Sequence, residues 1–89
     1  MNWTVSFTRK AAKSVQGLPH DVRAVLALLV TDLERTGPTR GDWPNYSKLS
    51  DGSHHCHLKP KWVVVWLVTD KEMKILEITY AGSRKDAPY

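Results

Sequence analysis

Seven consecutive apolar residues, Trp62-Val63-Val64-Val65-Trp66-Leu67-Val68, stand between Pro60-Lys61 and Thr69-Asp70. The run is rich in β-branched side chains and carries no alternation, so it predicts a strand that is apolar on both sides and sits at the centre of a sheet. Such a strand needs a neighbour on each edge. The residues from about 54 to 59 offer one. Met73 to Tyr80 offer the other, after a tight turn at Asp70-Lys71-Glu72, with Leu76, Ile78 and Tyr80 alternating with Ile75, Glu77 and Thr79. The three strands read as an antiparallel meander.

Upstream, Trp3, Val5 and Phe7 alternate with Thr4 and Ser6, the period of two of an opening strand. Thr8 can cap a short helix in which Ala11, Val15 and Leu18 share one face, Arg9, Lys10 and Lys13 face outward, and Gly17 is the stop. Pro19 and Asp21 suit the first turn of a second helix. Its Val22, Val25, Leu26, Leu29, Val30 and Leu33 recur at helical spacing until Gly37-Pro38. The two helices are expected to form an antiparallel hairpin covering one face of the sheet and leaving the other open. Residues 37 to 53 hold Gly37, Pro38, Gly41, Pro44, Asn45, Asp51 and Gly52 and read as a long loop. The expected fold class is therefore α+β, in a single domain spanning 1–89, because 89 residues support one core and not two.

Thirteen Lys and Arg against nine Asp and Glu give a formal charge of +4, which favours acidic partners such as nucleic acid. Cys56 is the single cysteine, so no intramolecular disulfide can form. The apolar runs are shorter than the roughly 18 residues of a membrane span, and the first residues carry no signal-peptide pattern, so a cytoplasmic address is expected.

The candidate chemistry lies just before the apolar run. Strand alternation places His55, His57 and Lys59 on one side and Cys56 and Leu58 on the other, so the imidazoles and the ammonium belong on the face the helices leave open. They suit a phosphodiester, whose cleavage needs cations and proton-transfer groups; read structurally, they are exposed strand residues. A metal site at His54-His55-Cys56-His57 has poor geometry, since neighbouring strand residues point to opposite faces and at best two ligands converge. An inward Cys56 is a poor nucleophile. Trp62 either stacks on a base or packs in the core, whereas Trp66 is expected in the core. Arg84, after Gly82-Ser83, can make a bidentate phosphate contact, and Lys48, Lys59, Lys61 and Lys85 can widen the basic field.

The order strand, helix hairpin, meander, together with Cys56-His57-Leu58-Lys59-Pro60-Lys61-Trp62 and Gly82-Ser83-Arg84, resembles the RelE/YafQ superfamily of bacterial toxins over nearly the whole chain. Phe7-Thr8-Arg9-Lys10-Ala11-Ala12-Lys13 through Leu18-Pro19 is similar to the family's opening strand and first helix. The resemblance implies a small endoribonuclease that cuts mRNA in the ribosomal A site and is held inactive by a co-encoded antitoxin; the chemistry of such a cut asks for a base, cations and an acid, so no metal or other cofactor is expected. The resemblance also implies that His57 and Arg84 are catalytic, that His55 stands at a further cationic position as the reserve for proton transfer, and that Trp62 and Tyr89 are the aromatics that contact the substrate; by their charge alone, Lys59, Lys61 and Lys48 are expected to contact it as well. The products would be a 2′,3′-cyclic phosphate and a 5′-hydroxyl. Lys61 stands where YafQ-like proteins carry an acidic residue, and Arg84 where they carry His, so the chain combines traits of two branches. Two other functions share this fold, a ParE-type inhibitor of DNA gyrase and a non-catalytic RNA-binding protein.

Overall fold

The computed structural model describes residues 2–89. In chain order it contains β1 (Thr4–Phe7), α1 (Arg9–Gln16), α2 (His20–Thr36), β2 (Ser47–Lys48), β3 (His54–Lys59), β4 (Trp62–Asp70), β5 (Ile75–Ser83) and a single 3₁₀ turn at Arg84–Asp86. Helix starts and stops follow local chemistry. Thr8 Oγ1 accepts from the Ala11 amide at 3.0 Å and caps α1, which Gly17 closes. Gly37, at φ +95°, closes α2 and packs so tightly that a Cβ there would lie 2.8 Å from the Trp3 indole nitrogen.

The strands form one sheet in the order β1-β5-β4-β3-β2. The expected meander of β3, β4 and β5 is present and antiparallel. Two details depart from the sequence reading. The opening strand pairs in parallel with β5, Thr4 with Ile75 through Phe7 with Ile78, so the sheet is mixed. The long loop also contributes a two-residue edge strand, β2, paired with His55 and His54. Two residues between turn-forming neighbours carry no readable period, which is why alternation missed them.

Both helices lie on one face. Ala11 from α1 and Val22, Leu26, Leu29 and Leu33 from α2 pack on Cys56, Leu58, Val64, Trp66, Leu76, Ile78 and Ala81. β4 is buried on both sides, as its composition requires: Val64 and Trp66 on the helix face, Val63 and Val65 on the other. The second face is thus not fully open. The chain after β5 turns back so that Pro88 and Tyr89 share a cleft with Val65, Leu67 and Thr79.

Bulges change which face several side chains occupy. Val65 pairs with Tyr80 and Trp66 with Ile78, so Thr79 is an extra residue and Tyr80 lies on the face opposite Ile78, contrary to simple alternation. β5 also begins later than expected and runs through Gly82-Ser83. On β3, His57 pairs with Val63 and Lys59 with Trp62, leaving Leu58 as the extra residue.

Neighbouring leucines on α2 provide a direct test of this packing. Leu29 is fully buried, whereas Leu28 is 64% exposed. Leu29→Ala is expected to lower stability by about 2–5 kcal/mol and Leu28→Ala by less than about 0.5 kcal/mol, read from urea midpoints at unchanged slope. Equal losses at both positions would contradict the placement of α2.

Candidate functional site

The β3–β4 register sorts the four histidine and cysteine side chains of residues 54–57. Cys56 pairs with Val64 and His54 with Trp66, both on the helix face, whereas His55 pairs with Val65 and His57 with Val63 on the other. His55 and His57 therefore lie side by side, their ring centroids 6.1 Å apart. Each meets a loop residue that sequence reasoning did not single out. Ser47 Oγ lies 2.9 Å from His55 Nδ1, and the Asn45 carboxamide lies 3.3 Å from His57 Nδ1. Only the turn chemistry of Pro44-Asn45 hinted at the second contact.

His57, Asn45 and Arg84 line a cleft of about 390 Å³ with Pro44, Leu58, Lys59 and Pro60. Arg84 is brought there from the end of β5. Its amide donates to the Lys61 carbonyl at 2.8 Å, and the Tyr80 hydroxyl donates to the Ser83 carbonyl at 2.6 Å, fixing the strand end. Partial burial lowers the His57 pKa, and the neighbouring His55 and Arg84 lower it further. The shift favours the neutral ring, the form able to accept a proton. Beyond Arg84, a second depression of about 480 Å³ is lined by Pro60, Lys61, Trp62, Ser83, Arg84 and Lys85. The ion pairs among the described residues are Arg40–Asp42 and Lys59–Asp21, so neither Arg84 nor Lys61 is neutralised there.

Other expected site residues fall elsewhere. The bulge at Leu58 turns Lys59 toward the helices, where its ammonium pairs with Asp21 of α2 at 3.9 Å, although its stem still borders the cleft. Lys48 pairs with His54 on the helix face of the edge strand, not with the two imidazoles. Trp62 packs partly against the core and shows its remaining surface beside Lys61 and Arg84. Tyr89 closes over His55, ring centroids 4.6 Å apart, which leaves His55 about 9% exposed. Burial raises the Tyr89 phenol pKa, with Arg84 opposing that shift.

Cys56 is fully buried, and burial, with Asp42 adding to it, pushes its thiol up to about 12, so it remains a neutral core residue. Among the described residues no three His, Cys, Asp or Glu side chains converge in a metal-binding arrangement. No helix among them is long and apolar enough to cross a membrane.

The geometry can be set beside known proteins. The sequence matches no protein-family model and no curated protein. Solved structures match it throughout. The archaeal RelE–RelB complex from Pyrococcus horikoshii OT3 aligns at a TM-score of 0.80 and 20% identity, over 98% of this chain and all of that one. The Escherichia coli DinJ–YafQ toxin–antitoxin complex aligns at 0.77 and 17% identity over the whole of both chains. The YoeB–YefM complex from Staphylococcus aureus aligns at 0.71 and 16%, over 92% of this chain and 97% of that one. The chain has the RelE/YafQ-type toxin fold.

On the helix face, His54 stacks on Trp66 at 5.8 Å and 6° and its Nδ1 lies 2.7 Å from the Tyr46 hydroxyl. Burial lowers its pKa, with Lys48 adding to the effect. Above the ordinary value of 6.5 neither folded nor unfolded chain protonates this group; below it the unfolded chain binds a proton that the folded chain resists, so stability falls as pH drops toward the folded value. His54→Phe keeps the ring stack, loses about 1 kcal/mol with the Tyr46 contact, and flattens the acid-side loss in melting temperature. An unchanged acid slope in that variant would remove His54 as the cause.

Proposed function

We propose that this chain is the toxin of a type II toxin–antitoxin system and acts as a ribosome-dependent endoribonuclease on mRNA. The observation that carries this reading is the pairing, in one cleft, of the His57 imidazole with the Arg84 guanidinium, which has no ion-pair partner among the described residues, on a fold whose solved examples include RelE, YafQ and YoeB toxins.

In the proposed reaction His57 takes the proton of a ribose 2′-hydroxyl as that oxygen attacks the adjacent phosphorus. Arg84 stabilises the charge of the pentacoordinate phosphorane, and Lys61 holds the neighbouring backbone. The bond from phosphorus to the 5′-oxygen breaks, leaving a 2′,3′-cyclic phosphate and a 5′-hydroxyl. The departing oxygen takes its proton from the second imidazole, His55, which requires Tyr89 to leave that ring. Once displaced, Tyr89 and the exposed edge of Trp62 are positioned to stack on bases. Lys59 and Lys48 contribute only to the wider positive field, Lys59 through the rim of the cleft. The reaction needs no metal, and a ribosomal substrate sets its place of action in the cytoplasm. Few groups take part, so orientation of the mRNA by the ribosome supplies much of the rate.

The partner is an acidic antitoxin protein. The solved relatives in complex with RelB, DinJ and YefM support such a partner, and the basic surface around Lys61, Arg84 and Lys85 suits one.

Purified protein added to a reconstituted translation reaction is expected to cut mRNA in phase with codons, only when ribosomes are present. His57→Ala and Arg84→Ala should each slow cleavage by about 100-fold or more. Fragments should carry 5′-hydroxyl ends that ligate only after phosphorylation. Intact mRNA with unimpaired translation would sink the reading and direct attention to inhibition of gyrase supercoiling, the activity of ParE-type toxins.

A further inference from the structure

The segment before β2 is pinned to His57 more firmly than a surface loop needs to be. Trp43-Pro44-Asn45-Tyr46 forms a turn closed by the Tyr46 amide donating to the Trp43 carbonyl at 3.2 Å, with Asn45 at φ +54° in its third position, the pattern of a type II turn. Both flanks are anchored in the helix-side packing. The Trp43 indole N–H donates to Asp32 of α2 at 2.9 Å, and the Tyr46 hydroxyl meets His54 at 2.7 Å. The turn is also tied to β3 itself, since the His57 amide donates to the Pro44 carbonyl at 2.9 Å. These contacts leave the Asn45 carboxamide against His57 Nδ1. A left-handed backbone at a non-glycine residue costs free energy, and asparagine tolerates it better than most.

We infer that Asn45 is the positioning residue of His57, its carboxamide oxygen accepting from Nδ1–H so that Nε2 is the ring nitrogen left free to take a proton. The placed contact is between Asn45 Nδ2 and His57 Nδ1, and a half turn of the carboxamide brings its oxygen to the same point. An imidazole whose Nδ1–H is held in this way keeps a single tautomer while neutral and is stabilised as it becomes an imidazolium. A serine occupies the equivalent place for His55, so each imidazole has its own loop partner and Asn45 serves His57 alone. This assignment rests on the reading of His57 as the proton-transfer group.

The left-handed backbone makes the test clean, because glycine adopts φ +54° without strain while removing the carboxamide, and aspartate keeps the shape while adding charge. Imidazole ¹⁵N and ¹³C NMR on the whole protein, with His57→Ala for assignment, reads the His57 tautomer and titration in Asn45→Gly, wild type and Asn45→Asp. The Nδ1–H tautomer is expected to dominate in wild type and to lose its preference in Asn45→Gly. The titration midpoint should rise in the order Gly, Asn, Asp. Slow exchange of the His57 amide, bonded to Pro44, reports that the turn persists in each variant. In the cleavage assay Asn45→Gly should slow turnover about 10- to 100-fold, and Asn45→Asp should restore the rate with its pH profile moved to higher pH. An unchanged tautomer and midpoint in Asn45→Gly overturns the inference, as does a midpoint that rises in that variant, which would show the amide donating. Because the NMR readout needs no substrate, an inactive wild-type protein would overturn the nuclease reading and leave the Asn45 result to be judged by itself.

Discussion

Burial of β4 on both faces is the constraint from which the rest of the architecture follows. A strand with Val63, Val64, Val65 and Trp66 all shielded from water must have hydrogen-bonding neighbours on both edges and side-chain cover on both sides. The two helices, with Trp43 and Tyr46 of the loop, cover one side. On the other, cover comes from polar and aromatic residues, the β3 imidazoles, Tyr80 and the returning tail. The ladder between β3 and β4 therefore has a double role. It completes the sheet, and by its register it sends Cys56 and His54 inward while aligning His55 and His57 on the face available to a ligand. A slip of one residue would exchange those sets.

Three aromatic residues transmit that order to the loop preceding β2. Trp66 donates its indole N–H to the Pro38 carbonyl at 2.9 Å, Trp43 reaches Asp32, and Tyr46 caps the stack of His54 on Trp66. The loop is thus an extension of the core rather than an independent flap. Its irregular backbone is tolerated because its polar groups are matched; no buried side-chain nitrogen or oxygen among the described residues lacks a partner. Asn45 and Ser47 inherit their positions from these anchors.

Much of this was legible in the chain. Helix periodicity, Thr8, Gly17 and Gly37 located both helices, and the Val-rich run located the central strand, because these features act over a few neighbouring residues. Strand alternation likewise separated Cys56 and Leu58 from His55 and His57. It failed where the chain inserts a residue. The bulge at Leu58 carried Lys59 to Asp21, and the one at Thr79 carried Tyr80 to the opposite face from Ile78. A bulge is chosen by how two strands fit together and leaves little trace in either strand alone. For the same reason the partners of His57 and His55 were out of reach: they come from a loop whose path is set by contacts with α2 and β4. The position of Lys48 depended on β2, an element too short to have a period.

The parallel pairing of β1 with β5 has a consequence for how the molecule comes into being. β5 lies between β1 and β4, yet it is the last strand in chain order. Until it is in place the opening strand has no partner in the sheet, and one whole edge of β4 is unpaired. Closing the contact between Thr4 and Ile75 spans most of the sequence, so the loop entropy must be met before the ladder can repay it. Folding is therefore expected to finish only after β5 has left the ribosome that made it. Arg84, which follows β5 directly, is delivered to the cleft by that same last step, so sheet closure and completion of the site coincide.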